Sequence, residues 1–302
     1  MGIAVDMWPA LDFARDADAL DSLHMQTQVV GKVKLALIPR AAEWQNVPLW
    51  VSATGLTTGF MWAGTVGIEI ALDLLDHRAV FTATDGRREA FDLGPMPLRD
   101  FTARVMTALA ALGVRVTINP MTVEVPDPVR CDECDAYDAY DAEAAGRIFG
   151  VWARTAAVFE EFRSTFWGKQ SGAGLYWGTF DLSVARYNLV PVEPRAGMDV
   201  IHRVAMDTEQ SEVGFWPGNA RYPRAAFFSY TYPKPKGIED AEIGPKAAAW
   251  NPSMGEFLLD YDDMRTAEDP AGALLEFART TYAAGADLAG WDRSLLERSP
   301  PT

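Results

Sequence analysis

The stretch GIEIALDLLDHRAVFTATDGRREAFDL, from Gly67 to Leu93, decides how the chain folds. GIEIALDLLD reads as a strand, and the segments Ala79 to Thr84 and Arg87 to Leu93 flank Asp85-Gly86. Asp-Gly between two such segments is a strong signal for a two-residue hairpin, because both turn positions tolerate a positive φ. Strands joined by tight turns pair antiparallel, so an antiparallel sheet is predicted here. Before it, VPLWVSATG puts Val47, Leu49 and Val51 on one strand face. After it, LRDFTARVMTALAALG is an amphipathic helix stopped by Gly113, and VRVTI follows as a short strand.

Toward the N-terminus, a long helix is predicted from about Asp16 to Leu37. Leu20, Leu23, Thr27 and Val30 recur at helical spacing, as do Met25, Val29, Val33 and Leu37. His24, Gln28 and Lys32 stand four apart and share one stripe of that helix. Toward the C-terminus, Asp141 reads as an N-cap with Glu143 in the first turn of a second long helix. YWGTFDLSVARY is then a strand. Phe180, Leu182 and Val184 lie on one face, and Trp177, Thr179, Asp181 and Ser183 on the other. AAFFSYTYP and EFLLDY read as further strands, and Asp269-Pro270 opens a last helix.

Helix, Gly-Lys, strands and helix thus occur twice in the same order. Gly31-Lys32 matches Gly168-Lys169, and Trp44, Val47, Leu49 and Val51 match Trp177, Phe180, Leu182 and Val184 without a gap. The predicted fold class is α+β, with two related helix-plus-antiparallel-sheet halves packed pseudo-symmetrically. Residues 1–125 form the first half, 126–141 an acidic linker and 142–302 the second half.

Composition narrows the function classes. With 27 basic against 42 acidic residues, the formal charge is −15, the wrong sign for displacing counterions from nucleic acid or anionic lipid. The longest apolar stretch, Val47 to Leu75, contains Glu69 and Asp73, so no membrane span is expected. The N-terminus has no basic region followed by an apolar run, and 2 cysteines build no disulfide framework; a reduced, cytoplasmic protein is expected.

No phosphate-cradling loop, dinucleotide fingerprint or serine elbow is present, and no redox cofactor is expected. Cys131-x-x-Cys134 lacks a second ligand pair, and its acidic neighbours Asp132, Glu133 and Asp135 disfavour thiolate. It reads as two thiols in a linker, and no metal is expected. Of 3 histidines, His24 is the candidate acid or base, because Gln28 and Lys32 share its stripe. The bland alternative is a hydrogen-bonded structural His. Lys32 and Lys169 are candidate anion holders, and Asp181 or Glu209 the partner carboxylate. Trp177, Trp216 in the GFWPG turn, and Tyr230 are candidate cleft walls.

Several segments together carry a family resemblance: WPAL, LHMQTQVVGKVKLAL, VPLWVSATGLTTG, FWGKQSGAGLYWGTFDL, GFWPG, FFSYTYP, GEFLL and ADLAGWD. Over nearly its whole length the chain resembles the bacterial domain of unknown function 5996. That resemblance implies a shared fold and site region and brings no activity with it. The family pattern carries a histidine where this chain has Gly174, and another in the stretch where it reads Asp207-Thr208-Glu209. By that pattern, this chain keeps only Glu209 and His24 of a metal or acid–base cluster. The leading expectation is a small-molecule enzyme doing isomerase, lyase or cyclase chemistry in an aromatic-lined cleft between the halves. The alternative is a non-catalytic metabolite- or partner-binding protein that has lost the family's site.

Overall fold

The structure, a computed structural model, describes residues 8–298. The first helix, α1 (Phe13–Leu37), starts where the Asp12 side chain accepts from the Arg15 amide. Strands β1 (Leu49–Val51), β2 (Gly55–Thr57), β3 (Met61–Ala63), β4 (Val66–Asp73), β5 (Arg78–Ala83) and β6 (Arg88–Asp92) follow, then α2 (Leu98–Ala111). The second part runs α3 (Ala142–Ser164), β7 (Gly174–Tyr176), β8 (Asp181–Pro191), α4 (Val200–Ala205), β9 (Thr208–Trp216) and β10 (Ala226–Tyr232). It closes with β11 (Ala249–Asn251), β12 (Glu256–Asp260), α5 (Tyr261–Arg265), α6 (Pro270–Leu288) and α7 (Arg293–Leu296). Asp141 caps α3 through the Ala144 amide, and Asp269 caps α6 through Gly272 with Pro270 in its first turn.

All the strands join one 12-stranded sheet in the order β11-β12-β10-β9-β8-β7-β1-β2-β4-β5-β6, with β3 on β4. Its ladders are antiparallel, so the protein is a mixed helix and antiparallel-sheet fold of the expected α+β class. The seam is β1 on β7, where Leu49 faces Leu175 and Trp50 faces Gly174. From that seam one meander runs outward through β2, β4, β5 and β6. The other runs through β8, β9, β10 and β12.

Three local expectations are corrected. YWGTFDLSVARY is not one strand: β7 ends at Tyr176, residues 177–180 form a turn in which the Phe180 amide bonds the Tyr176 carbonyl, and β8 begins at Asp181. The Asp85-Gly86 hairpin closes through a longer loop, Thr84-Asp85-Gly86, because the Ala83 amide bonds the Arg87 carbonyl. Gly86 takes the single left-handed position at φ 89°, a geometry that needs one such residue and not two. VRVTI pairs with no strand: Val114 is buried and Val116 and Ile118 pack on the core, so the segment's apolar residues are covered without a ladder. Residues 126–141 are irregular and held down. Cys131 is buried with its carbonyl bonded by Thr102, and Tyr140 bonds His77 Nδ1 at 2.9 Å.

The pleat of β8 separates two environments, since alternate residues point to opposite faces. Leu182, Val184 and Arg186 face the helical layer, where α3 packs on β8 and α6 packs on β9 and β10. Asp181, Ala185 and Tyr187 face a cavity on the other side. Gly31 lets α1 approach that region closely: a Cβ there would lie 2.3 Å from the Trp177 ring.

Candidate functional site

The cavity encloses about 800 Å³. Its floor is the non-helical face of β8, β9, β10 and β12, and register places the floor residues. Ala185 faces Glu212 and Glu212 faces Tyr230 across adjacent strands. The next pair outward, Ser229 with Phe257, sets Glu256 beside Tyr230. One wall is the end of α1 with residues 117–124; the roof is α4, none of whose residues is buried. Below α4, Glu43 and Trp44 take consecutive left-handed conformations, φ 46° and 53°, a strain of about 1–3 kcal/mol each. That kink aims Glu43 at Lys169 and lets Trp44 Nε1 donate to the Ile201 carbonyl at 2.9 Å, tying the roof down.

The helical stripe His24-Gln28-Lys32 exists, but the backbone consumes it. His24 Nε2 lies 3.0 Å from the carbonyls of both Trp177 and Gly178, and its ring stacks on Phe180 at 4.7 Å. The residue keeps some exposed surface, yet its ring is packed closely enough that burial lowers the imidazole to about 4. The Gln28 amide donates to the Val123 carbonyl (2.8 Å) and accepts from the Val123 amide (3.0 Å). Lys32 reaches the cavity wall, where Nζ donates to the Met121 carbonyl at 2.5 Å and lies over the Trp177 ring. Burial pushes its ammonium pKa down.

Of the other sequence-predicted residues, Asp181, Trp177, Trp216 and Tyr230 line the cavity with Lys32. His24, Gln28, Lys169 and Glu209 do not. Lys169 Nζ grips both carboxyl oxygens of Glu43, at 2.7 and 2.5 Å, so it holds a protein carboxylate. Glu209 points to the opposite face of β9, where Asn188 donates to it at 2.7 Å.

Residues that sequence reasoning missed carry the site's electrostatics. Glu212 accepts from the Tyr230 hydroxyl at 2.5 Å, and Asp181 accepts from Thr179. Burial pushes the Asp181 carboxyl up to about 7, and the nearby Glu212 charge adds to the rise. Glu212 keeps surface facing the cavity, but burial raises it also, with the Tyr230 bond opposing. Glu256 is pushed up to about 7 by burial and then by Glu212. Between Asp181 and Glu212 stands buried Ser183. Its hydroxyl is near enough to favour both ionised forms but meets neither carboxyl at good hydrogen-bond geometry. The signal for Glu212 was alternation in TEQSEVGFW, with Val213 and Phe215 on the buried face, inside a stretch that reads as irregular because prolines and glycines surround it.

Among the described residues no three His, Cys, Asp or Glu side chains are placed to hold a metal ion. Nor is any described helix long and apolar enough to cross a membrane. Fold and site together define an α+β protein in which β8, β9, β10 and β12 give one face to the core and the other to an acidic, aromatic-walled cavity. The chain belongs to the family of unknown function DUF5996, which matches residues 8–298. No curated protein and no solved structure matches it.

Proposed function

We propose that this chain is a small-molecule enzyme of isomerase, lyase or cyclase type, working by acid–base chemistry in the cavity without a redox cofactor. The observation that carries the reading is a pair of carboxyls, Asp181 and Glu212, set on either side of Ser183 with proton affinities raised by burial. A carboxyl near pH 7 is well matched to transfer protons at neutral pH, since it is present in both forms. One ionised carboxylate takes a proton from substrate carbon or heteroatom. The other, protonated, returns one to the departing or rearranging atom, so no electrons are gained or lost. Trp177, Trp216 and Tyr230 exclude water, while His24 and Gln28 act on the backbone that shapes the wall.

Exchange with solvent tests this without knowledge of the substrate. The protein is incubated in D₂O with a pooled small-molecule cell extract. Wild type is expected to place deuterium on carbon in, or to convert, at least one component, and Asp181→Asn to do neither. Ligand binding seen as a melting shift, with no exchange or conversion by wild type, would defeat the catalytic reading. It would leave the second reading, a non-catalytic binding protein. That reading is supported by α1, whose His24, Gln28 and Lys32 are all spent on backbone carbonyls and offer no free base.

Two further parts of the proposal have structural support. Cys131 and Cys134 are both free, in keeping with a reducing cytoplasmic compartment. Two meanders running outward from the β1–β7 seam, each between a long helix before it and a helix after it, are what a duplicated, pseudo-symmetric unit would produce. The matched Gly-Lys pairs are not equivalent, since Gly31-Lys32 lies inside α1 and Gly168-Lys169 beyond the end of α3.

A further inference from the structure

We infer that the cavity takes an organic cation, a protonated or quaternary amine carrying an apolar group. This rests on the reading that the cavity is the ligand site, and holds whether or not chemistry follows binding.

Charge makes the first argument. The carboxylic and basic side chains lining the cavity are Glu43, Glu124, Asp181, Glu212 and Glu256 against Lys32 and His202. Glu43 is answered by Lys169, and His202 by Asp199 at 2.7 Å. Lys32 is turned onto the Met121 carbonyl. Asp181, Glu212 and Glu256 are left in the interior with no ammonium, guanidinium or imidazole within ion-pair reach among the described residues, and Glu124 stands at the exposed edge. Buried carboxylates without a counter-charge are costly, and a cationic guest removes that cost where an anionic one adds to it.

The walls make the second argument independently. Trp44, Trp177, Trp216, Tyr187, Phe228 and Tyr230 present ring surface to the space. Two of these rings already carry cations: Lys32 Nζ lies 5.5 Å from the Trp177 centroid, and Lys169 Nζ 5.0 Å from that of Tyr187. Aromatic faces attract ammonium groups through the ring quadrupole, more strongly where water is excluded.

Shape separates an organic cation from a metal ion. About 800 Å³ is room for a drug-sized molecule, and no three carboxyls among the described residues converge on one point. Spread negative charge over an aromatic lining suits a guest whose charge sits on a bulky apolar frame.

The test is isothermal titration of the full chain at pH 8 with three probes of one shape: 2-phenylethylammonium, 2-phenylethanol and phenylacetate. The ammonium is expected to bind at least about tenfold more tightly than the alcohol, and phenylacetate more weakly than either. Glu212→Gln is expected to cut the ammonium advantage by about fivefold or more while leaving the alcohol within about twofold. Glu256→Gln, at the outer floor, gives the same sign and serves where Glu212→Gln does not fold. Equal or tighter binding of the alcohol or of phenylacetate overturns the inference, as does ammonium binding that both variants leave unchanged. So does failure of all three probes to bind at about 20 mM. A cation preference without deuterium exchange defeats the catalytic reading alone; exchange on a neutral or anionic compound defeats this inference alone.

Discussion

The two faces of β8 bury charges of opposite sign in opposite ways. Toward the helices, Arg186 is enclosed by rings: its guanidinium lies 3.5 Å from the Phe162 centroid and 4.3 Å from that of Tyr282. It also donates to the Phe162 carbonyl. Burial lowers it only to about 10, so it stays charged, held by fixed rings and a backbone dipole. Toward the cavity, Asp181 and Glu212 have hydroxyl partners but no cation, and they answer burial by holding protons more tightly. One strand therefore carries a charge the fold has satisfied and another it has left to titrate. The first contributes to structure. The second is where a ligand gains most.

That contrast predicts which changes unfold the protein and which alter only its pH response. The largest effect belongs to the helical side: Trp152→Ala, beneath Phe180 in the core, should cost about 3–5 kcal/mol in urea denaturation and leave probe binding within twofold. Next comes Asp181→Asn. A carboxyl whose folded pKa is near 7 and whose ordinary value is 3.8 binds more protons when folded. Its stability contribution is full below pH 3.8 and is lost as pH rises through 7. Wild type should therefore lose about 4 kcal/mol relative to Asp181→Asn between pH 4 and 8. An identical slope in the two proteins would remove the contrast between the faces.

His24 gives the reverse sign. Its folded value of about 4 lies below the ordinary 6.5, so its contribution is present above pH 6.5 and lost as pH falls toward 4. His24→Gln should flatten that acid-side loss at a cost of about 1–2 kcal/mol at pH 7, read in the same denaturation series. Gly31→Ala should be the smallest change. Its Cβ meets the Trp177 ring, and a shift of that wall costs about 1 kcal/mol and weakens 2-phenylethylammonium binding more than it lowers the melting temperature.

The α+β class, the Asp141 and Asp269 helix caps and the face of β8 that carries Asp181 were legible in the sequence, because capping and period-two alternation are local signals; α1 was legible as a helix, but its start at Phe13 behind the Asp12 cap was not. The hairpin at Asp85-Gly86 was legible in kind but not in loop length, which the register of β5 on β6 decides. VRVTI carries a strand-like pattern, but its apolar residues are covered by the core without joining a ladder, which local alternation cannot show. For the site, Lys32, Trp177, Asp181, Trp216 and Tyr230 were named and do share the cavity. Glu212 and Glu256 were not, because a carboxylate on a strand reads as solvated until the sheet partners that bury it are known. The helical spacing that links His24 to Lys32 was read correctly, but spacing cannot reveal that the carbonyls of Trp177, Gly178 and Met121 occupy those side chains.

The contrast between the two faces depends on carboxyls of the cavity face that hold protons near neutral pH. A ¹³C-carboxyl NMR titration of the full chain, assigned by Asp181→Asn and Glu212→Gln, measures this directly. The expected result is an Asp181 midpoint near 7 that falls when Glu212 is replaced, since the Glu212 charge helps raise it. An Asp181 midpoint near 4, unmoved by Glu212→Gln, would mean the carboxyl is solvated like any surface aspartate, and the contrast between the two faces would be wrong.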